Sequence, residues 1–194
     1  ITSLDLETDL ESITNQLIPR FASAFMIGGC DVATNHYLRF LYNVLVATRI
    51  LREEGSTSDV IAYFQISHRV KEDVLPAEDV RLLSELGIRI EYIPKSKSES
   101  FYDTVLDKFR VLALTDYRKV LVMDADVMPL TNLDYLFWLS VNGTLKENVV
   151  LAGVQEPSNA GFFLIEPGKG RYEQLLDIIR KREENAGHLE GPKF

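Results

Sequence analysis

Two carboxylates stand two residues apart directly after a short hydrophobic run, in Val120-Leu-Val-Met-Asp124-Ala125-Asp126. Side chains at positions i and i+2 of an extended chain point to the same side, so both carboxylates can face one ligand. Carboxylates this close repel each other unless a cation lies beside them, and hard oxygen ligands suit Mg²⁺ or Mn²⁺ shared with ligand phosphates. The small Ala125 would let the backbone approach something bulky. The pattern predicts a metal site; the alternative is a solvated turn at a strand end, where Asp is common.

A hydrophobic strand followed by Asp-x-Asp-x-Val is also similar to the first motif of haloacid-dehalogenase-type phosphatases. In that motif the first Asp is the nucleophile, which would be Asp124 here. Too little chain follows this position for the rest of such a domain. The phosphatase is therefore kept as a less favoured alternative.

Hydrophobic periodicity predicts alternating strands and helices around this pair. The predicted strands are 22–27, 60–66, 88–93, 120–123, 149–154 and 161–165, and the predicted helices are 35–54, 77–86, 101–114 and 171–184. This alternation indicates an α/β fold with a mostly parallel central sheet flanked by helices. Ligands of such sheets bind at the carboxyl ends of the strands, where Gly28-Gly29 and Asp124 are expected to lie.

Size and charge limit the classes of partner. The chain has 194 residues and a formal net charge of −8, which argues against a nucleic acid as partner. No apolar run approaches the roughly 20 residues that span a bilayer, so no transmembrane segment is expected in this chain. Residues 1–20 are predicted to form a polar N-terminal arm, and residues 21–194 a single domain.

The surroundings of the carboxylate pair carry a specific resemblance. The segment KFRVLALTDYRKVLVMDADVMPLTNLDYLF, from Lys108 to Phe137, closely resembles the central block of glycosyltransferase family 8, the family of glycogenin and galactinol synthase. The segment SNAGFFLIEP, which begins at Ser158, is similar to the family's Asn-Ser/Ala-Gly strand, and AFMIGG, which begins at Ala24, to its first strand. The resemblance covers roughly residues 21–185.

The resemblance implies a GT-A fold and a metal-dependent, retaining transfer of a hexosyl group from a nucleotide-sugar, commonly a UDP-sugar. By position, Asp124 and Asp126 would ligate Mn²⁺ or Mg²⁺, with Ala125 beside the donor. Lys108 would approach the donor from its helix, whereas the alternative is a solvated lysine. Asn159 would act in catalysis by orienting the sugar.

Other residues would bind the donor by the same resemblance. Gly28, Gly29 and Tyr37 would line the uracil pocket, and Gly161 would meet the sugar. A glycine pair lets backbone approach a flat base, although glycines in turns are often only turns. Asn159 has the corresponding alternative of a plain turn residue.

The end of the chain is similar to the family's late His-x-x-Gly-x-x-Lys-Pro-Trp segment. It reads His188-Leu-Glu-Gly191-Pro-Lys193-Phe194, one residue short and without Pro-Trp. The resemblance implies His188 as a third metal ligand and Gly191 and Lys193 as donor-binding residues; the competing interpretation is a solvated tail. The family's Asp-Gln segment has no match here, so either residues of the C-terminal segment are absent or the site is incomplete.

Three functions are therefore compared. The first is a glycosyltransferase acting on a glycan, protein, lipid or polyol acceptor, with homodimerisation left open. The second is an inactive nucleotide-sugar-binding module or partner subunit, and the third is the phosphatase. The triplet Asn142-Gly143-Thr144 fits the glycosylation acceptor pattern and favours a Golgi or secretory lumen over the cytoplasm.

Overall fold

The computed structural model describes residues 20–95, 106–141, 151–153 and 161–187. Its centre is a sheet of six strands in the order β3-β2-β1-β4-β6-β5. The strands are β1 (Phe21–Cys30), β2 (Asp59–Ile66), β3 (Ile88–Ile93), β4 (Lys119–Asp124), β5 (Leu151–Gly153) and β6 (Phe162–Ile165). Strands β1 to β4 are parallel, and β6 is antiparallel to both β4 and β5. The predicted mostly parallel α/β sheet is confirmed.

The helices are α1 (Asn35–Glu53), α2 (Ala77–Glu85), a 3₁₀-helix (Lys108–Ala113), α3 (Tyr135–Val141) and α4 (Arg171–Gly187). Helix α1 begins where the hydroxyl of Thr34 accepts a hydrogen bond from the backbone N–H of Tyr37, at 3.3 Å, as an N-cap does. It ends at Glu53, and Gly55, the second residue after it, has a φ of 80°, as a glycine that follows a helix commonly does. Among the described helices, none combines the length and hydrophobicity needed to cross a membrane.

The two faces of the sheet bury different side chains because side chains alternate along each strand. Phe25, Phe64 and Leu121 share one core with residues of α1, α2 and α3. Tyr63 and Val122 share the opposite core with the 3₁₀-helix, against which α4 packs. Gln65 in β2 and Asp124 in β4 continue the alternation of Tyr63 and Val122 at the carboxyl ends of these strands. Both therefore lie on the sheet face that is covered by the 3₁₀-helix.

The first strand is longer than predicted. The prediction that it stops at Gly28-Gly29 is wrong, because β1 continues to Cys30, which pairs with Ile66. The register shifts between Ile27 and Cys30, and Gly29 has a φ of 62°. The glycine pair is thus accommodated as a bulge within the strand and does not end it.

Two helices also differ from expectation. The described part of the predicted helix 101–114 is mainly a 3₁₀-helix, in which Leu114 N–H donates to the carbonyl of Val111, and both side chains are buried. Because side chains three residues apart lie on the same side of a 3₁₀-helix, Val111 and Leu114 can be buried together. Helix α3 was not predicted; Phe137 within it is buried and stacks on Phe21, with ring centroids 4.7 Å apart.

Arg20 is the described residue of the predicted arm. Its guanidinium pairs with Asp59 at 2.7 Å and lies over the ring of Tyr117, 5.0 Å from the centroid. Residues 1–19 lie outside the described part of the chain. The division into an arm and a single domain stays a prediction.

Candidate functional site

The carboxyl ends of β1 and β4 are neighbours in the sheet. Met26 of β1 lies opposite Asp124, the last residue of β4, and Gly28 follows two residues later on β1. The predicted proximity of Gly28 and Asp124 at adjacent strand ends is therefore confirmed. This edge of the sheet is where parallel α/β folds bind their ligands.

The backbone of Asp124 is held on both sides. Its N–H donates to the carbonyl of Gly161 at 2.7 Å, and its carbonyl accepts from the N–H of Val127 at 2.9 Å. The first bond extends the pairing of β4 with β6 by one residue, and the second closes a turn around the carboxylate pair. Gly161, a predicted donor-binding residue, thus lies against the predicted metal ligand.

Lys108 of the 3₁₀-helix forms an ion pair with Asp124, from Nζ to Oδ1. The Lys108 side chain is only 10% exposed, so the alternative of a solvated lysine is wrong. The Asp124 side chain is 31% exposed, so one flank of it faces outward. The ammonium offsets one of the two negative charges that the sequence places together, which lowers their mutual repulsion.

The chain leaves the strand after Asp124, because Ala125 and Asp126 lie in the turn that the Val127 N–H closes onto the Asp124 carbonyl. The extended geometry assumed for all three residues is therefore wrong beyond Asp124, and the shared direction of the two carboxylates stays a prediction. Ala125 is buried in the core beneath α1 and α3, whereas Asp126 is exposed. Among the described residues, no group of three or more His, Cys, Asp and Glu side chains could hold a metal ion. Two carboxylates with outward-facing oxygens still suit Mg²⁺ or Mn²⁺ shared with ligand phosphates, because these ions commonly keep ligands from outside the protein. The residues present fit such an open site and do not fit a closed cage.

Gly29 and Tyr37 differ in their surroundings. Gly29 is exposed, and a Cβ atom added to it would meet nothing within 4 Å, so its requirement for glycine comes from backbone conformation. Tyr37 is 2% exposed, and its hydroxyl donates to Asp79 at 2.7 Å. Burial, followed by the Asp79 carboxylate, raises the pKa of Tyr37. Its contacts join α1 to α2, and its place in a uracil pocket stays a prediction.

Four of the predicted site residues lie outside the described part of the chain: Asn159, His188, Gly191 and Lys193. Their roles in sugar orientation, metal binding and donor binding stay predictions.

The structure also brings together polar residues that sequence analysis did not single out. The amide Nε2 of Gln65 donates to Asp107 Oδ2 at 2.8 Å, and Arg110 Nε donates to Asp107 Oδ1 at 2.7 Å. The i,i+3 spacing of Asp107 and Arg110 was a visible signal for the second bond. Nothing in the sequence indicated the first, which joins Gln65 at the end of β2 to Asp107, the residue that precedes the 3₁₀-helix.

A second unexpected anchor lies beyond the carboxylate pair. Asp134 accepts hydrogen bonds from the hydroxyl of Ser56 at 2.6 Å and from the backbone N–H of Thr57 at 2.8 Å. These bonds tie the segment that follows β4 to the connection between α1 and β2. Asp134 thus supports the loop that carries Asp126.

Comparison with solved structures identifies the class of fold to which this sheet and its helices belong. The fold is shared with the glycosyltransferase GlyE of Streptococcus pneumoniae TIGR4, at a TM-score of 0.54 and 21% identity over 87% of this chain and 40% of that one. The fold is therefore a GT-A glycosyltransferase fold. No protein-family model matches the chain.

Curated plant proteins are similar in sequence. The chain is 26% identical over 157 residues to UDP-glucuronate:xylan alpha-glucuronosyltransferase 1 of Arabidopsis thaliana, covering 78% of this chain and 22% of that protein. It is 25% identical over 158 residues to inositol phosphorylceramide glucuronosyltransferase 1 of the same plant, covering 78% of this chain and 27% of that protein. The chain thus spans about a quarter of the length of these relatives. The proteins that it resembles in sequence and the protein that it resembles in fold are all glycosyltransferases.

Proposed function

We propose that this chain is the nucleotide-sugar-binding portion of a metal-dependent, retaining glycosyltransferase of family 8. The observation that carries the proposal is Asp124, held at the end of β4 by Lys108 and Gly161, with exposed Asp126 two residues further on. Its position on a GT-A fold, in a chain similar to enzymes named for UDP-glucuronate, supports a UDP-sugar as donor. UDP-glucuronate is the first donor to test.

Each residue contributes by its position. Asp124 and Asp126 would hold Mn²⁺ or Mg²⁺, which when bound neutralises charge on the departing diphosphate. Lys108 supplies a further positive charge beside Asp124 from a buried position, where electrostatic interactions are strong. Gly29, in the bulge of β1, is exposed and has open space where a Cβ atom would stand.

The proposed transfer retains configuration, as the family resemblance implies. The acceptor hydroxyl oxygen bonds to the anomeric carbon on the face from which the diphosphate leaves. The bond between that carbon and the diphosphate oxygen breaks, and the hydroxyl proton passes to a donor phosphate oxygen. UDP and the new glycoside are the products.

Titration calorimetry of UDP with and without Mn²⁺ tests the binding step. The native chain should bind UDP much more tightly with Mn²⁺, and Asp124→Asn and Asp126→Asn should each remove that difference. Asp116→Asn, which changes an exposed carboxylate elsewhere, is the matched control and should bind as the native chain does. Unchanged metal dependence in both site variants would sink the proposal.

A turnover assay separates the enzyme from a binding module. UDP release from UDP-glucuronate, UDP-glucose or UDP-galactose in the presence of Mn²⁺ indicates transferase or hydrolase activity. For a binding module, UDP binds but no donor is consumed. The GT-A fold favours both of these over the phosphatase, whose signature would be phosphate release from phosphomonoesters.

A further inference from the structure

A cavity of about 340 Å³ opens between the 3₁₀-helix, helix α4 and the carboxyl ends of β2 and β3. Gln65 and Lys95 line it from the strand ends, Asp107 from just before the 3₁₀-helix, Arg110 from within that helix, and Tyr172 from α4. This volume is at the low end of the range for small-molecule sites, so the cavity suits a compact ligand or the end of a longer one.

The polar wall of the cavity is ordered by hydrogen bonds among its own residues. Gln65 and Arg110 each donate to one oxygen of Asp107, and the Arg110 guanidinium lies over the Tyr172 ring, 5.5 Å from its centroid. The side chains of Asp107 and Arg110 are 13% and 33% exposed. Each planar group is thus held in place while retaining further donors or acceptors for a ligand.

The charges facing the cavity are balanced. Asp107 is paired with Arg110, and Lys95 is paired with Asp73 at 2.9 Å. A phosphate or nucleotide would find no unbalanced positive charge among these groups. Planar hydrogen-bonding side chains beside an aromatic ring suit instead a neutral ligand that is rich in hydroxyls and has apolar C–H faces.

The cavity lies close to the proposed donor site, on the same face of the sheet. Gln65 and Asp124 lie on the same face of the sheet, at the carboxyl ends of β2 and β4, which both flank β1. Strands two apart are separated by roughly 10 Å. The 3₁₀-helix joins the two places, because Lys108 contacts Asp124 while its neighbour Asp107 lines the cavity.

We propose that this cavity binds the acceptor as a neutral saccharide and presents its hydroxyl to the anomeric carbon of the donor held at Asp124 and Asp126. The proposal rests on the proposed glycosyl transfer and narrows its acceptor to a glycan. Tyr172, Leu175 and Leu176 of α4 offer apolar contact to the C–H faces of the sugar, and the group formed by Gln65, Asp107 and Arg110 offers hydrogen bonds to its hydroxyls.

Two matched substitutions on α4 test this assignment. Leu176 lines the cavity and is 38% exposed, whereas Ile178 is 53% exposed on the same helix and does not line it. Leu176→Arg should obstruct the cavity, and Ile178→Arg should leave it open, with both chains folded because neither side chain is buried.

The measurements are calorimetric titrations of UDP with Mn²⁺ and NMR titrations of xylotetraose, cellotetraose and maltotetraose. At least one saccharide should bind the native chain and shift the side-chain amide signal of Gln65. Leu176→Arg should weaken that binding about ten-fold or more, while Ile178→Arg and the UDP affinity of all variants stay unchanged.

If UDP binds but none of the three saccharides does, or if Leu176→Arg binds the saccharide as well as the native chain, this inference is overturned while the proposed donor site stands. If UDP fails to bind with Mn²⁺, the proposed function itself fails, and the acceptor role of the cavity fails with it.

Discussion

Lys108 and Asp124 form an ion pair that joins the 3₁₀-helix to the end of β4, with the lysine side chain 10% exposed and the aspartate side chain 31% exposed. The pair lies where sequence analysis placed the donor diphosphate. The same lysine that is proposed to face the donor therefore also positions the first carboxylate of the proposed metal site. Four predictions concern this ion pair and the contacts of Asp134, Tyr37 and Cys30.

Breaking the Lys108–Asp124 pair should destabilise the domain. Lys108→Met leaves the partly buried carboxylate without its cation, and we expect a loss of about 1–3 kcal/mol in the free energy of unfolding. Urea denaturation in the presence of a chelator, on Lys108→Met, Asp124→Asn and the double variant, measures their coupling. The exposed pair Arg49–Glu53, with side chains 70% and 61% exposed, is the control, and Arg49→Met should cost about 0.5 kcal/mol or less. Equal losses at the two sites would contradict this prediction.

Removing the Asp134 carboxylate should loosen the segment after β4. Asp134→Ala deletes the acceptor of the Ser56 and Thr57 hydrogen bonds, and we expect a cost of about 1–3 kcal/mol in thermal or urea unfolding. Hydrogen exchange should speed up at the Thr57 amide in particular. Asp116→Ala, at an exposed carboxylate, serves as the control. A native rate of exchange at Thr57 in Asp134→Ala would show that this anchor is dispensable.

The buried tyrosine Tyr37 should make stability fall at high pH. Burial and the Asp79 carboxylate raise its pKa in the folded state, so above about pH 10 the unfolded chain loses a proton that the folded chain keeps. Stability from this group is full below the unfolded pKa and declines as pH rises above it. Tyr37→Phe should therefore flatten the dependence of unfolding free energy on pH above about pH 10 while costing about 1 kcal/mol at neutral pH. If the unfolding free energy of the native chain and of Tyr37→Phe fell equally steeply above about pH 10, Tyr37 would not contribute to the pH dependence.

The thiol of Cys30 should be unreactive in the folded protein. It is buried at the end of β1 and donates to the carbonyl of Ile27 at 3.2 Å. Burial raises the pKa of Cys30 to about 12, so at pH 8 almost no thiolate is present to react. A disulfide reagent such as 5,5′-dithiobis(2-nitrobenzoic acid) should label the chain only at the rate of unfolding, and fully in 6 M guanidinium. Rapid labelling of the native protein at pH 8 would contradict the burial of this strand end.

Local pattern was sufficient for most of the parallel sheet. Predicted strand 60–66 corresponds closely to β2, which is buried along almost its whole length and is mainly apolar, as a strand covered on both faces is. Predicted strand 88–93, which rested on alternation of apolar residues, corresponds to the partly exposed edge strand β3. The hydrophobic run 120–123 likewise predicted that Asp124 and Asp126 stand where a buried strand ends, since a short apolar segment bounded by polar residues is a local signal.

Tertiary structure decided what local pattern could not. The bulge that carries β1 through Gly28 and Gly29 depends on the pairing of Cys30 with Ile66 in another strand. Helix α3 depends on the burial of Phe137 against Phe21, which is far away along the chain. Short helices gain most of their stability from such packing, so their own residues predict them weakly.

In the candidate site, too, some features follow from local sequence and others only from tertiary structure. The sequence by itself determined the residue types at positions 124 and 126 and their place at the end of a strand. Only the strand order, with β1 between β2 and β4, decided that Gln65, Asp107 and Lys108 meet at one edge of the sheet. The physical reason is that hydrogen bonds and ion pairs between distant segments follow from how strands pair and helices pack, and a single sequence carries no local signal for either.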